Sequence, residues 1–240
     1  MPTFTRGDAE IHYEVHGDGP AAVLALAPGG MRSAVSYWPK MPWDPMARLA
    51  DGYRVVAMDQ RNAGQSKAPI RPTDGWAEYR DDQLGLMDHL GIERFHVVGM
   101  CIGGSFIAEL ARHAPERVAS AVMLQPIGLD GDRRIFFDMF DGWAGEAKAG
   151  HPEASDDDFA AFRQNLFGGE DFLFSQGEAF IAKCPVPLLV MMGNDAYHPE
   201  ATSRRVAQLA PDAMLVEEWK EPEHIEAAAT TIRQFLDAHS

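Results

Sequence analysis

A cysteine stands midway between two glycines in Gly99-Met100-Cys101-Ile102-Gly103-Gly104, between an apolar run and a stretch with helical spacing. A thiol attacks well only once ionised, and the N-H groups and dipole of a helix starting behind it favour the thiolate. Attack on a carbonyl would create an oxyanion, and the N-H of the residue after the nucleophile, Ile102, is placed to donate to it. The sulfur also needs a base to take its proton and a carboxylate to fix that base's tautomer. Among nine histidines, His224 falls in a loop between the last apolar strand and the final helix, and Asp195 follows the strand before. Cys101, Asp195 and His224 are therefore the expected nucleophile, acid and base, and the chemistry is acyl transfer to water through a thioester. Asp130, after an earlier strand, is an alternative acid. Glu221 and Glu223 flank the base and can tune its charge.

The second oxyanion donor is expected from Pro28-Gly29-Gly30-Met31, with Gly30 and Met31 the two candidates. Met100, the aromatic cluster Phe136, Phe137 and Phe140, and His198, three residues after Asp195, are the candidate pocket lining. Arg32 or Arg133 is available to meet a substrate carboxylate. Nothing in this scheme calls for a metal or cofactor.

These residues need a scaffold that brings strand ends together. Ala21 to Ala27, Tyr53 to Asp59, Phe95 to Val98, Val118 to Gln125, Pro187 to Gly193 and Met214 to Trp219 read as strands, and Ile11 to Val15 as a half-buried edge strand. Amphipathic stretches separate the later strands, the spacing of βαβ units, which predicts a mainly parallel sheet with helices on both faces. Residues 33 to 50 are helix-like but broken by Pro39, Pro42 and Pro45. Residues 127–183 break the rhythm with aromatic clusters and no strand pattern, and read as a small helical cap inserted into a core of residues 1–126 and 184–240. Ser155-Asp156-Asp157-Asp158 reads as a capped helix start. Asp59 and Arg61 read as a buried pair anchoring the loop after their strand. His96 and Cys184 are expected in the core, and His89 on the surface.

Thirty-six acidic against 21 basic residues leave a net charge of -15, which argues against nucleic acid or an anionic membrane as partner and leaves a small molecule. No stretch reaches the roughly 20 apolar residues of a membrane span. Two distant cysteines and an N-terminus without an apolar signal region point to a reduced, cytoplasmic setting. Oligomeric state has no signature in the chain.

From the edge strand to His224 the chain resembles the α/β-hydrolase superfamily. Its Gly99-x-Cys101-x-Gly103-Gly104 turn is similar to the elbow of dienelactone hydrolases, which use a Cys-Asp-His triad. The Asp59-x-Arg61-x-x-Gly64-x-Ser66 loop and the cap resemble the epoxide-hydrolase, haloperoxidase and esterase branch, although Pro28 stands where many relatives of that branch carry histidine. The resemblance implies a hydrolase of carboxylic esters, lactones or thioesters. Acyl transfer from the same thioester, or a small-ligand receptor on the same fold, are the alternatives.

Overall fold

A computed structural model describes residues 2–240. The strands are β1 (Thr3–Arg6), β2 (Ala9–His16), β3 (Ala21–Leu26), β4 (Tyr53–Met58), β5 (Phe95–Met100), β6 (Val118–Leu124), β7 (Leu188–Met191) and β8 (Ala213–Val216). They form one sheet in the order β1-β2-β4-β3-β5-β6-β7-β8. β1 and β2 run antiparallel, as do β2 and β4, and every other pair is parallel.

The parallel strands are apolar runs because both faces are covered. On one face Leu24, Leu26, Val97 and Met123 pack against α2 (Trp76–His89), α3 (Gly103–His113) and α7 (Glu200–Leu209). On the other, Val23, Ala25, Val98 and Leu189 pack against α1 (Pro45–Leu49) and α8 (Ile225–Ala238). Each fully buried Val, Leu or Ile contributes about 1.5–3 kcal/mol, so the central strands are the least deformable part of the molecule. Their C-terminal ends are a firm base for loops. This is the α/β architecture that the element spacing predicts.

Two departures have local causes. Ile11 to Val15 is not at the edge, because Thr3–Arg6 pairs outside it with Thr3 opposite His12. That outer strand is short and half-exposed, so it lacks the apolar pattern by which strands are read. Asp59 and Arg61 do not pair with each other. Asp59 accepts the N-H groups of Val35 and Gln65, both at 2.7 Å, while Arg61 Nε donates to Asp82 at 2.8 Å. Both residues still anchor the loop. The prolines of residues 33 to 50 leave only a 3-10 turn over Val35–Lys40 and the short α1.

Between β6 and β7 lie α4 (Arg134–Ala147), α5 (Asp156–Phe167) and α6 (Glu178–Ile181), with no strand among them. Ser155 opens α5 by accepting the Asp158 N-H, and the Asp158 carboxylate accepts the Ser155 N-H in return. Phe140 contacts Trp143 and Phe162, each at 5.3 Å between ring centres, and Phe136 contacts Phe174 at 4.5 Å. These rings are buried in packing between the helices and the core. Among the described residues no helix is long and apolar enough to cross a membrane.

Candidate active site

β5 ends at Met100 and α3 begins at Gly103, so the chain must reverse within two residues. Cys101 absorbs that reversal with φ 61°, a left-handed conformation that ordinary side chains seldom adopt. Hydrogen bonds fix it in place: its N-H donates to Leu124 at 3.0 Å and its carbonyl accepts from Ile127 at 3.1 Å. A Cβ on Gly99 would lie 2.7 Å from the Gly103 carbonyl, so the close approach of strand and helix requires glycine there. The cysteine side chain is partly buried and keeps some exposure. The strained elbow expected around Cys101 is present.

Asp195 follows β7, and the chain then folds back at once. The Asp195 N-H donates to the His198 carbonyl at 3.3 Å, and the His198 N-H returns to the Asp195 carbonyl at 3.1 Å. Inside this turn Asp195 Oδ1 also accepts the N-H of Tyr197 at 2.9 Å and of His198 at 3.1 Å. Both carboxylate oxygens lie 2.8 Å from His198 Nδ1. The opposite ring nitrogen, Nε2, is buried without a hydrogen-bond partner, and the imidazole as a whole interacts with the Cys101 side chain. Gly193 makes the fold-back possible, since a Cβ there would meet both the Cβ and the carbonyl oxygen of His198 at 2.5 Å. Its N-H is held by Ser203 Oγ of α7 at 3.2 Å.

The three groups shift one another's charge. Burial pushes the Cys101 thiol up, but its hydrogen bond and charge interaction with His198, joined by the N-H groups of Gly29 and Ile102, hold it below the ordinary thiol range. Burial pulls His198 down, and the interactions with Cys101 and Asp195 outweigh it, so the imidazole sits above its usual value. Burial raises Asp195, and His198 with the two backbone donors brings it lower. All three directions favour a thiolate beside an imidazolium that is held by a carboxylate.

Several expected positions need correction. His224 is not brought to the sulfur. It lies at the start of α8, where Nε2 is 3.4 Å from the exposed Glu218, and His198, expected as pocket lining, occupies the place between sulfur and carboxylate. The backbone N-H groups that act on the Cys101 thiol are those of Ile102 and Gly29, the latter adjoining the candidate donors Gly30 and Met31. Gly29 and Gly30 both have positive φ, at 117° and 58°, so the loop is tightly coiled and the side chain of Met31 turns into the core. Met100 is fully buried against β-sheet neighbours and lines no opening. Phe136 and Phe140 are packing residues, and Phe137 holds the Arg163 guanidinium 4.7 Å above its ring. Asp130 is exposed. Arg133 donates to the carbonyls at the end of α5 and pairs with Glu170.

Two residues near the turn carry no sequence signal of their own. Tyr197 stays 39% exposed while its ring touches both Phe136, at 5.6 Å, and His198, at 6.3 Å. Lys220 donates to Gln125 at 3.0 Å and to Asn194 at 2.6 Å, which ties the ends of β6 and β7 together. For His198 a signal did exist: a Gly-x-Asp-x-x-His run in which the glycine leaves room for the histidine. Among the described residues no group of three or more His, Cys, Asp or Glu is arranged to hold a metal ion.

Residues 23–185 match the sequence model of the alpha/beta hydrolase fold family. Among curated proteins, the chain is 38% identical over 116 residues to the putative carbamate hydrolase RutD of Variovorax paradoxus (strain S110), covering 48% of this chain and 41% of that protein. It is 42% identical over 118 residues to the dihydrolipoyllysine-residue acetyltransferase component of the acetoin cleaving system of Cupriavidus necator, covering 49% of this chain and 30% of that protein. These alignments span less than half the length of each relative. Among solved structures, the enol-lactonase from Burkholderia xenovorans LB400 superposes with a TM-score of 0.75 over 98% of this chain and 100% of that one, at 22% identity. A similarity at that identity establishes the shared fold.

Proposed function

Because the chain belongs to the alpha/beta hydrolase fold family, we propose that it is a hydrolase of activated acyl compounds, namely esters, lactones, thioesters or carbamates, with Cys101 as nucleophile. The observation that carries this reading is the grouping of half-buried Cys101 with the His198–Asp195 pair and two backbone N-H groups. Carbamate and lactone enter the range through the likeness to the putative carbamate hydrolases RutD and to the enol-lactonase.

In this scheme the Cys101 proton rests on His198 Nε2 before substrate arrives. The sulfur adds to the carbonyl carbon, and the displaced electron pair settles on the oxygen facing the Ile102 and Gly29 N-H groups. Collapse of that adduct breaks the bond to the leaving group, which departs with the proton from Nε2 and leaves an acyl thioester on the sulfur. His198, now neutral, accepts a proton from water as the water adds to the thioester. The second adduct collapses by releasing the sulfur as thiolate, the acid departs, and the proton taken from water stays on Nε2, which restores the starting pair. Asp195 keeps Nδ1 protonated throughout, so Nε2 is the nitrogen that exchanges protons. A sulfur nucleophile suits acyl carbon, because the thioester it forms is readily hydrolysed.

The test is turnover and covalent trapping together. Wild-type enzyme mixed with a panel of aryl esters, lactones and carbamates, then quenched and weighed by intact-protein mass spectrometry, should gain one acyl mass located on the peptide containing Cys101. Cys101→Ala should lose that adduct and at least about 10³-fold in kcat. Turnover by Cys101→Ala at the wild-type rate would end the proposal. Added alcohols or amines in the same assay measure how far transfer competes with hydrolysis.

A further inference from the structure

Between the last turns of α4 and the loops that follow β3 and β4 lies a cavity of about 690 Å³ with Arg32, Tyr37, Asn62, Lys67, Trp143 and Glu146 in its wall. Arg32 in its wall lies three residues beyond Gly29, whose N-H acts on the Cys101 thiol. The Tyr37 ring, part of the cavity wall, comes within 3.3 Å of where a Gly29 Cβ would stand. Met139, one helical turn before Trp143 on α4, lies over Gly30, with its sulfur 2.6 Å from that glycine's would-be Cβ. The cavity wall and the backbone N-H that acts on the Cys101 thiol thus share the loop after β3.

The wall is rich in donors. Lys67 is exposed, and no ion pair engages it among the described residues. Asn62, held at φ 59°, accepts the Ala68 N-H on Oδ1 at 2.7 Å, which sets the orientation of its amide and leaves Nδ2 buried with no partner. A buried donor without a partner costs about 1–3 kcal/mol, and an arriving acceptor relieves that cost. Glu146 is the sole carboxylate in the wall. It pairs with Arg32 at 2.8 Å but is largely exposed, and a pair of this kind exchanges easily for another anion. Two cations facing one carboxylate are out of keeping with a chain of net charge -15.

We infer that this cavity takes the anionic end of the substrate, a carboxylate carried several atoms from the scissile carbonyl, held by Arg32 and Lys67 in place of Glu146. The planar guanidinium fork and the side-chain amide suit a flat two-oxygen acceptor. This rests on the reading of Cys101 as an acyl hydrolase. It narrows the substrate class to acyl compounds that carry a second, negatively charged group.

Matched 4-nitrophenyl esters test it: hemi-esters of succinate, glutarate and adipate against neutral acids of the same chain length. The wild-type enzyme should favour the hemi-ester at one length or more. The ratio of kcat/KM for hemi-ester over neutral ester should fall about tenfold in Lys67→Met and in Arg32→Met. Preference for the neutral ester at every length, or a ratio that neither variant moves, overturns the inference. Calorimetric titration of free glutarate and adipate into Cys101→Ala separates this from the hydrolase reading. Binding there that Arg32→Met abolishes, with no ester turned over by the wild type, keeps the anion site and sinks the hydrolase. Ester turnover without diacid binding or hemi-ester preference keeps the hydrolase and sinks the anion site. Binding of inorganic phosphate with both diacids silent also overturns the carboxylate assignment.

Discussion

Replacing each of two histidines separates the geometry seen here from the order of residues along the chain. In His198→Ala the sulfur stays where the elbow puts it, still under the Ile102 and Gly29 N-H groups, but loses the strongest of the influences that lower its pKa. Burial, the largest influence overall and one that disfavours charge, is then opposed only by those two donors. The thiol should move up to or beyond the ordinary value of about 8.5, where only a few per cent is ionised at pH 7. His224→Ala removes a half-exposed ring whose one close polar neighbour, Glu218 at 3.4 Å, is itself 77% exposed. An interaction of that kind is worth below about 1 kcal/mol. The assay is the rate of Cys101 alkylation by iodoacetamide from pH 5 to pH 10, followed by mass spectrometry, with ester turnover measured in parallel. Wild type and His224→Ala should alkylate on superimposable profiles displaced to lower pH than that of an ordinary thiol. His198→Ala should follow an ordinary thiol, at least about tenfold slower at pH 6, with kcat down by about 10³-fold or more. An alkylation profile unchanged in His198→Ala, together with loss of turnover in His224→Ala, would refute the assignment.

Gly193→Ala places a methyl 2.5 Å from two atoms of His198, about 1 Å inside normal contact; the 2.8 Å carboxylate contacts cannot survive such a shift, so kcat/KM should fall by about 10² while thermal unfolding moves much less. Equal losses in both measurements would mean the glycine serves folding alone. His96 donates or accepts at Ser120 Oγ, 2.8 Å away, and at Ser240 Oγ, and burial pushes it down to about 4, helped by the nearby Arg94 charge. Its folded value lies below the unfolded value of about 6.5, so the unfolded chain binds the proton first and stability is lost as pH falls from about 6.5 to about 4, by up to about 3 kcal/mol. Denaturant titrations at pH 7 and pH 4.5 should show this slope in the wild type and a shallower one in His96→Gln, and equal slopes would dismiss the effect. Gly99→Ala forces a Cβ against the Gly103 carbonyl at 2.7 Å, and a midpoint of thermal unfolding within a degree of wild type would contradict the tight elbow described here.

The tight turn at Cys101 was legible because its backbone is written in the flanking glycines, a β-branched strand before and a helix after. Asp195 was legible for a similar reason, as the first carboxylate beyond a buried parallel strand. The base was not. His198 and His224 both sit where a late strand gives way to a helix, and what separates them is the missing Cβ of Gly193 and the return of the Asp195 carboxylate onto its own turn. Proline at 199 made His198 look like a mere helix opener. The aromatic residues of α4 illustrate a further limit, since rings that fill a core and rings that line a cleft have the same spacing. Only the neighbours across α5 and the core show that Phe136 and Phe140 do the former.

Carboxylate and imidazole come from a single four-residue reversal at the tip of β7, closed by its own backbone. Their mutual geometry is thus a short-range property, insensitive to how β8 and α8 settle against the rest of the sheet. The fold has one remaining alignment to achieve, bringing that self-contained clasp over the sulfur two strands away. A transplant of residues 193–198 onto the matching strand end of another protein of this architecture should carry the paired acid and base with it, as an interchangeable part.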